Sequence, residues 1–334
     1  MFFKSKKPLD FLAIGDITTD AFIKLQDATV TCDPVNENCT LSMRFGDKVP
    51  YESVTVVPAV GNSANASVAA ARLGLQSSLL AWIGDDQNGK DCLASLQRDH
   101  VDTSLLQTGR GKKTNYHYVL SYQADRTILV NHIEYSYKLP QFEEPKVMYL
   151  SSLAPNSLTY HQEIETYLKK HLNSIFVFQP GTFQMKLGYE QLKGLYQRTN
   201  VFFCNVEEAQ RILQTTDRDI KNLLREMRNR GPKIVCITDG PKGAYMYDGT
   251  TMYSVPMYPD PKPPLERTGA GDAFASTFST FYAMGLSPEE CLLRAPINSM
   301  SVVQYIGAQK GLLTRAQLEE LLKNKPAGYQ ITRM

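Results

Sequence analysis

Glu266-Arg267-Thr268-Gly269-Ala270-Gly271-Asp272, followed at once by AFASTFSTFYAMG (273–285), decides how the chain is read. A loop of small residues leads into one acid and then into an amphipathic helix. Phe274, Phe278 and Phe281 recur at i, i+4 and i+7, which places them on one apolar helical face. Gly269, Ala270 and Gly271 carry no bulk, so their backbone N–H groups are open to close approach. A helix start offers unpaired donors and the positive end of the macrodipole, and so suits an anion. A carboxylate there would repel the anion unless it had a chemical task, and a general base beside an anion hole fits. A plain glycine-rich turn capped by Asp272 would use the same residues.

Working outward, Leu9 to Ile14 is a short apolar run ending in Gly15, read as a buried strand. Residues 21–57 then alternate loosely between polar loops, an antiparallel excursion rather than a strand-to-helix step. Val60-Gly61-Asn62-Ser63-Ala64-Asn65 opens an alanine-rich helix that ends at Gly74. SSLLAWIG (77–84) reads as a strand, 86–99 as a helix and VDTSLL (101–106) as another strand. KKTNYHYVLSYQ and RTILVNHIEY form a second excursion, a hairpin around Ala124-Asp125.

From Val147 strands and helices alternate regularly. The strands are VMYLSS, SIFVF, VFFC, KIVCITDG, GAYMYDG and TMYSVP. Helices are expected at 159–172, 187–197 and from Asn205, with a further one before KIVCITDG. Ser287-Pro288-Glu289-Glu290 is a capping-box start, and Pro296 should kink or break the helix it opens. A last helix is expected at about 314–323. This order predicts one α/β domain over 1–334, mainly a parallel sheet with helices on both faces. A small β-lid would come from about 21–57 and 112–137.

At 334 residues, 43% hydrophobic and 21% charged, the chain has an ordinary globular composition. A formal net charge of +2 with no long Lys/Arg run gives no reason to expect nucleic acid as a partner. The N-terminus holds only a five-residue apolar run, too short for a signal or a membrane span. The six cysteines show no C-x-x-C spacing and are read as reduced thiols of a cytoplasmic protein, with a bridge between Cys32 and Cys39 as the alternative that this compartment disfavours. The histidines lack zinc-ligand spacing. Gly84 to Lys90 has the spacing of a phosphate-binding P-loop, but Asp91 replaces the hydroxyl residue and Asp85 and Asp86 oppose phosphate.

With these motifs in view, the chain resembles the ribokinase-like (PfkB) family of carbohydrate and nucleoside kinases, whose late signature is D-T-x-G-A-G-D before a helix. Gly15 to Asp20, Val60 to Asn65, Asn205-Val206-Glu207-Glu208, Thr238 to Gly243, and Asn298 with Gly307-Ala308-Gln309 resemble its other motifs in family order. The resemblance implies an ATP-dependent phosphotransferase acting on a hydroxymethyl group of a small sugar. It implies Asp272 as base and the amides of Gly269, Ala270 and Gly271 as anion hole. Asp20, Gly61 and Asn65 would contact the acceptor, and Asn205, Thr238, Gly240, Gly243 and Asn298 the nucleotide. Glu208 would serve Mg²⁺ through water, and Glu266 would stand near a monovalent cation such as K⁺.

An adenosine-type nucleoside kinase is the alternative, with Phe22, Phe45, Tyr51, Tyr116, Tyr118 or Tyr122 available to stack on a base. A ligand-binding protein without turnover is a further one. Pairing of two copies through the lid is a family expectation. Glu266-Arg267 depart from the usual Asp-Thr, which leaves Arg267 able to present a guanidinium to phosphate.

Overall fold

The computed structural model describes residues 9–33, 39–122 and 125–334. The chain begins with β1 (Phe11–Ile14) and β2 (Thr18–Leu25), then a short hairpin of β3 (Thr29–Cys32) and β4 (Cys39–Ser42), and then β5 (Tyr51–Val60). α1 (Asn62–Arg72), β6 (Ser77–Leu80), β7 (Trp82–Gly84), α2 (Gln87–Arg98), β8 (Gln107–Gly109), β9 (Asn115–Tyr122) and β10 (Asp125–Leu129) follow. The regular alternation then runs β11 (Val147–Leu150), α3 (Leu158–Lys170), β12 (Ile175–Phe178), α4 (Thr182–Leu187), α5 (Tyr189–Arg198), β13 (Val201–Asn205), α6 (Val206–Leu213), α7 (Ile220–Asn229) and β14 (Ile234–Thr238). It closes with β15 (Ala244–Tyr247), β16 (Met252–Val255), α8 (Ala270–Ala283), α9 (Pro288–Val302), α10 (Arg315–Lys323) and β17 (Thr332–Arg333).

Nine strands form the main sheet in the order β17-β16-β15-β14-β13-β12-β11-β1-β6. The run from β6 to β14 is parallel, and β15 to β17 are added antiparallel. The side-chain period of two explains how helices cover both faces. Phe11 and Ala13 of β1 join one buried cluster with α1, α8, α9 and α10, while Leu12 and Ile14 join another with α3, α5, α6 and α7. Because β6 and β11 lie on opposite sides of β1, the chain reverses direction across the sheet there. The crevice at the carboxyl ends of the strands is where α/β folds place ligands.

Strands of the two excursions pair with each other in a second sheet, β10-β9-β2-β5. β2 runs antiparallel to β5 and parallel to β9, with Asp20 directly beside His117. The turn expected around Ala124-Asp125 falls partly outside the described residues. Among them, no helix is long and apolar enough to cross a membrane.

Four expectations need correction. VDTSLL is not a strand: the Asp102 carboxylate accepts from the Ser104 N–H at 2.9 Å and turns the chain, so the strand falls at β8. The helix expected at 187–197 starts later, as α5 at Tyr189, and an unexpected short helix, α4, precedes it; Gly188, whose φ of 83° lies in the left-handed region, separates the two. Pro296 does not break α9, which runs unbroken past it. Two bonds just past the proline hold the helix to α8, from Ser299 Oγ to the Ala270 carbonyl (2.8 Å) and from Asn298 to Thr277 (2.8 Å). The isolated bridge of Asp102 to Ser78 is all the pairing the 101–106 stretch makes. Finally, the cysteines are not all reduced. Cys32 and Cys39 face each other across β3 and β4 and form a disulfide, while Cys92, Cys204, Cys236 and Cys291 are free and buried.

The Gly84–Lys90 stretch is structural. Asp86 caps α2, accepting from the Gly89 N–H at 3.0 Å and from the Thr114 hydroxyl at 2.6 Å.

α8 is fixed from below and beside. Phe274 and Phe278 meet Phe203 of β13 edge-on, with centroids 6.1 and 5.4 Å apart. Its start depends on Gly269, at φ 81°, where an added Cβ would collide with Ala308. Gly269→Ala should therefore destabilise the protein by roughly 1–3 kcal/mol, read as a lowered urea midpoint with unchanged m. An unchanged midpoint would show that the loop tolerates another conformation.

Candidate active site

Strand ends deliver the polar residues. Asp16 follows β1, Gln179 follows β12, and Asn205 and Thr238 end β13 and β14. Two adjoining cavities open over these ends. The first, of about 480 Å³, has apolar walls from Met257, Pro264, Phe274, Pro296, Met300 and Val303. Gly240, Gly243 and Ala270 also line it. The second, of about 390 Å³, is lined by Asp20, Gly61, Asn65, Glu208, Gly269 and Asp272 among others. Asn205, Thr238, Arg267, Gly271 and Phe274 line both and form the shared wall. The start of α8 thus stands between a mostly apolar slot and a polar one.

Asp272 lies in the first turn of α8 and is 8% exposed. Its Oδ1 accepts from Asn62 Nδ2 at 2.7 Å and Gln179 Nε2 at 3.1 Å, and its Oδ2 from Asn65 Nδ2 at 2.7 Å. Burial pushes its carboxyl above the usual range, and the three amides oppose that shift by favouring the anion. The amides are themselves aimed. Tyr149 donates its hydroxyl to Gln179 Oε1, which turns the NH₂ toward Asp272. Gln309 Nε2 donates to Asn65 Oδ1 at 3.0 Å and to the Ala59 carbonyl at 2.6 Å, with the same effect on Asn65.

Asn205 caps α6. Its Oδ1 accepts from the Glu208 N–H at 2.8 Å, and Glu208 Oε2 accepts from the Asn205 N–H at 2.9 Å. Burial, with the charge of Asp272 adding to it, raises the Glu208 carboxyl above its ordinary value. Gly61 precedes α1 at φ 108°, and a Cβ there would press on the Asp16 carbonyl oxygen at 2.8 Å. Gly271 differs, because a Cβ on it would meet nothing within 4 Å.

Two expected site residues lie elsewhere. Asn298 lines neither cavity and is fully buried. Its Nδ2 donates to Thr277 and its Oδ1 accepts from the Leu313 N–H at 2.9 Å, so both ends are engaged in joining α8, α9 and the last loop. Glu266 also lines neither cavity. Its Oε1 accepts from the Thr268 N–H at 2.8 Å and from the Thr268 hydroxyl, and faces Arg126 Nε at 3.5 Å. Gly307-Ala308-Gln309, grouped with Asn298 in one sequence motif, sits on the Asp272 side, where Ala308 lines the second cavity.

Sequence reasoning passed over Asn62, Gln179, His117 and Arg126. Asn62 was inside a motif already quoted, and Gln179 directly follows an apolar strand, where carboxyl-end residues belong. His117 and Arg126 carry no local signal. They reach the cavity only through strand pairing between distant segments. Of the six rings considered for stacking, none lines either large cavity. Tyr116 and Tyr118 line a separate one of about 320 Å³, Phe22 is buried, and Phe45 and Tyr51 are exposed. Among the described residues, no cluster of three or more Asp, Glu, His or Cys could hold a metal by itself.

Behind the second cavity, burial pushes the Asp16 carboxyl up to about 7, against a lowering hydrogen bond from the Tyr137 hydroxyl at 2.7 Å. Burial also lowers His132 and His161 to about 4, and the charge of His117 adds to the effect on His132.

A family profile described as pfkB family carbohydrate kinase matches residues 24–315. The chain is 26% identical over 289 residues to the ribokinase of Bacillus subtilis, spanning 84% of this chain and 92% of that one. The structure superposes on the nucleoside kinase of Methanocaldococcus jannaschii with a TM-score of 0.77 at 20% identity, covering 95% of this chain and 99% of the other. Arabidopsis thaliana ribokinase, solved with ribose and ATP, also gives 0.77, at 18% identity and with 95% and 99% covered. Both superpositions give the ribokinase-like α/β fold.

The buried acid and the histidines have opposite pH signatures. Between about pH 4 and 7 the folded protein keeps the Asp16 proton while the unfolded chain loses it, so stability falls as pH rises. His132 and His161 stay neutral while the unfolded chain takes up protons below 6.5, so their contribution rises with pH from about 4 to 6.5. Asp16→Asn removes the first trend alone. Relative to the parent, its stability should increase by roughly 2–3 kcal/mol from pH 5 to pH 8, as measured by urea unfolding. Parallel curves for the two proteins would show that Asp16 holds no such proton.

Proposed function

The chain belongs to the pfkB family of carbohydrate kinases, and from that premise we propose that it transfers the γ-phosphoryl of ATP to a hydroxymethyl group of a small sugar. The observation that carries this reading is the buried Asp272 carboxylate, held by three amides at a helix start between two cavities.

The slot of about 480 Å³ takes the nucleotide: its apolar walls suit a flat base, and Gly240, Gly243, Asn205 and Thr238 border the phosphates. The second cavity takes the acceptor. Asp272 accepts the proton of the attacking hydroxyl, and its raised pKa makes it a better base for that step. Amides of the first turn of α8, which lack helical partners, face the charge on the transferring group. Arg267, exposed on the shared wall, adds a guanidinium there. The reaction is in-line, with the acceptor oxygen and the leaving ADP on opposite sides of the phosphorus.

Glu208 would hold Mg²⁺ together with the nucleotide phosphates. A single hard carboxylate, its pKa raised by burial and by Asp272, fits an ion that keeps most of its waters. When bound, the ion neutralises phosphate charge. At Glu266 the positive charge of Arg126 serves in place of a monovalent cation. A sugar suits the acceptor cavity better than a nucleoside, because none of the six rings named above for stacking on a base reaches it.

We also propose that two copies pair through the second sheet in the cytoplasm. Val54, Val56, Tyr118 and Leu129 are exposed on one face of that sheet. Val56→Asp should shift the elution volume of a dimer to that of a monomer; an unchanged volume would rule this face out.

Asp272→Asn should leave ATP binding within about twofold while turnover falls on the order of 10²–10⁴-fold. Turnover that persists would remove Asp272 as base, and a parent protein that turns over no sugar or nucleoside would favour ligand binding without catalysis. Gly271→Ala tests the anion site separately. The new methyl group has open space, so stability should hold or rise by up to about 1 kcal/mol while turnover drops.

A further inference from the structure

Four buried polar atoms without a hydrogen-bond partner lie together beside the acceptor cavity: Asp20 Oδ1, His117 Nε2, His132 Nδ1 and Asp16 Oδ2. They belong to one continuous set of side chains. Asp20 and His117 are direct neighbours on β2 and β9, and their Oδ1 and Nδ1 atoms are 3.4 Å apart. The His117 ring meets that of His132 edge-on at 5.2 Å, and His132 Nδ1 is 3.7 Å from Asp16 Oδ2. Tyr137 donates to the other oxygen of Asp16, and Phe183 covers the far side of His132 at 5.4 Å. Of these four residues, Asp20 and His117 line the cavity.

Buried polar atoms are nearly always paired, and a group left unpaired destabilises the fold. Four on one connected set of side chains, two of which line a cavity, mark where polar groups of another molecule belong. Resting on the kinase reading above, we propose that His117 is a specificity-determining contact for the acceptor: with Asp20 it takes two neighbouring hydroxyls of an uncharged sugar, while His132 and Asp16 position the imidazole.

The chemistry of the pair fits a diol. The Asp20 carboxylate only accepts, so it takes one hydroxyl proton, and His117 Nε2 meets the adjacent hydroxyl. Side chains on paired strands stand about 5 Å apart, close enough for one sugar to reach both. The same set disfavours an acceptor that already bears a phosphate or carboxylate. Asp20 presents a like charge, and Arg126 on the next strand faces Glu266. His132 stays uncharged at neutral pH because burial holds it near 4, so it adds no cation behind His117.

The test uses the full chain with ATP and Mg²⁺ and, as acceptors, ribose, fructose, 2-deoxyribose, fructose 6-phosphate, gluconate and adenosine. The expected result is turnover of a neutral sugar and none of fructose 6-phosphate or gluconate. His117→Ala should raise KM for that sugar on the order of tenfold to a hundredfold, with kcat and KM for ATP within about twofold. His117→Gln, which keeps a side-chain donor and acceptor, should recover part of the loss. His132→Ala should raise the acceptor KM less. An acceptor KM unmoved in His117→Ala, an effect confined to ATP, or a preference for fructose 6-phosphate would each overturn the proposal. If the parent turns over nothing, calorimetry with ribose separates the two readings. Binding lost in His117→Ala would keep the subsite and discard the kinase, and no binding to the parent would discard both.

Discussion

The structure turns on one buried carboxylate. A lone ionised acid out of water is costly, so Asp272 stands at the start of α8 only because three amides accept the task of pairing it. Those amides come from α1 and from the end of β12, and they are aimed in turn by Tyr149 on β11 and Gln309 after α9. One acid therefore joins segments from residue 62 to residue 309. The alanine-rich face of α1 is part of the same constraint. Small residues let α1 lie close enough to α8 for Asn62 and Asn65 to reach the carboxylate.

The sheet explains why these groups meet. Parallel strands place all their carboxyl ends on one side, and the chain's change of direction across β1 opens a crevice there. The main sheet builds the wall between the two cavities, but it cannot close the acceptor side. That side is completed by the second sheet, whose β2, β9 and β10 bring Asp20, His117 and Arg126. In the proposed reaction the two jobs are divided accordingly: the main sheet holds base, anion site and nucleotide, and the second sheet reads the acceptor.

What the sequence disclosed follows the range of the interaction. Gly269 to Asp272, Gly61, Asn65, Asn205 and Thr238 sit in short motifs whose backbone demands are local, and the structure places all of them on the cavities. The alternation of strands and helices was equally legible, because period and capping are local too. Asn298 was misplaced for the opposite reason. A motif locates a residue along the chain, but whether its side chain faces a cavity or Thr277 depends on how α9 is rotated against α8. The Cys32–Cys39 disulfide was disfavoured because a compartment argument was applied to a pair set by strand register. His117 and Arg126 could not be found at all from spacing, since a parallel pairing between residues 18–24 and 115–121 brings in the first and the antiparallel pairing of β10 on β9 the second.

Glu266 shows how a departure from a motif can be absorbed. With its longer side chain, the carboxylate folds back on Thr268 and meets Arg126 from the second sheet. The interaction ties the loop that starts α8 to a strand of the second sheet. Its neighbour Arg267 is left exposed on the wall between the cavities. A pair that departs from the usual residues thus provides both a loop-to-sheet contact and a cation at the junction. In the proposed chemistry that cation stands where negative charge passes from nucleotide to acceptor, a position at which a guanidinium adds most to the transition state and least to either ground state.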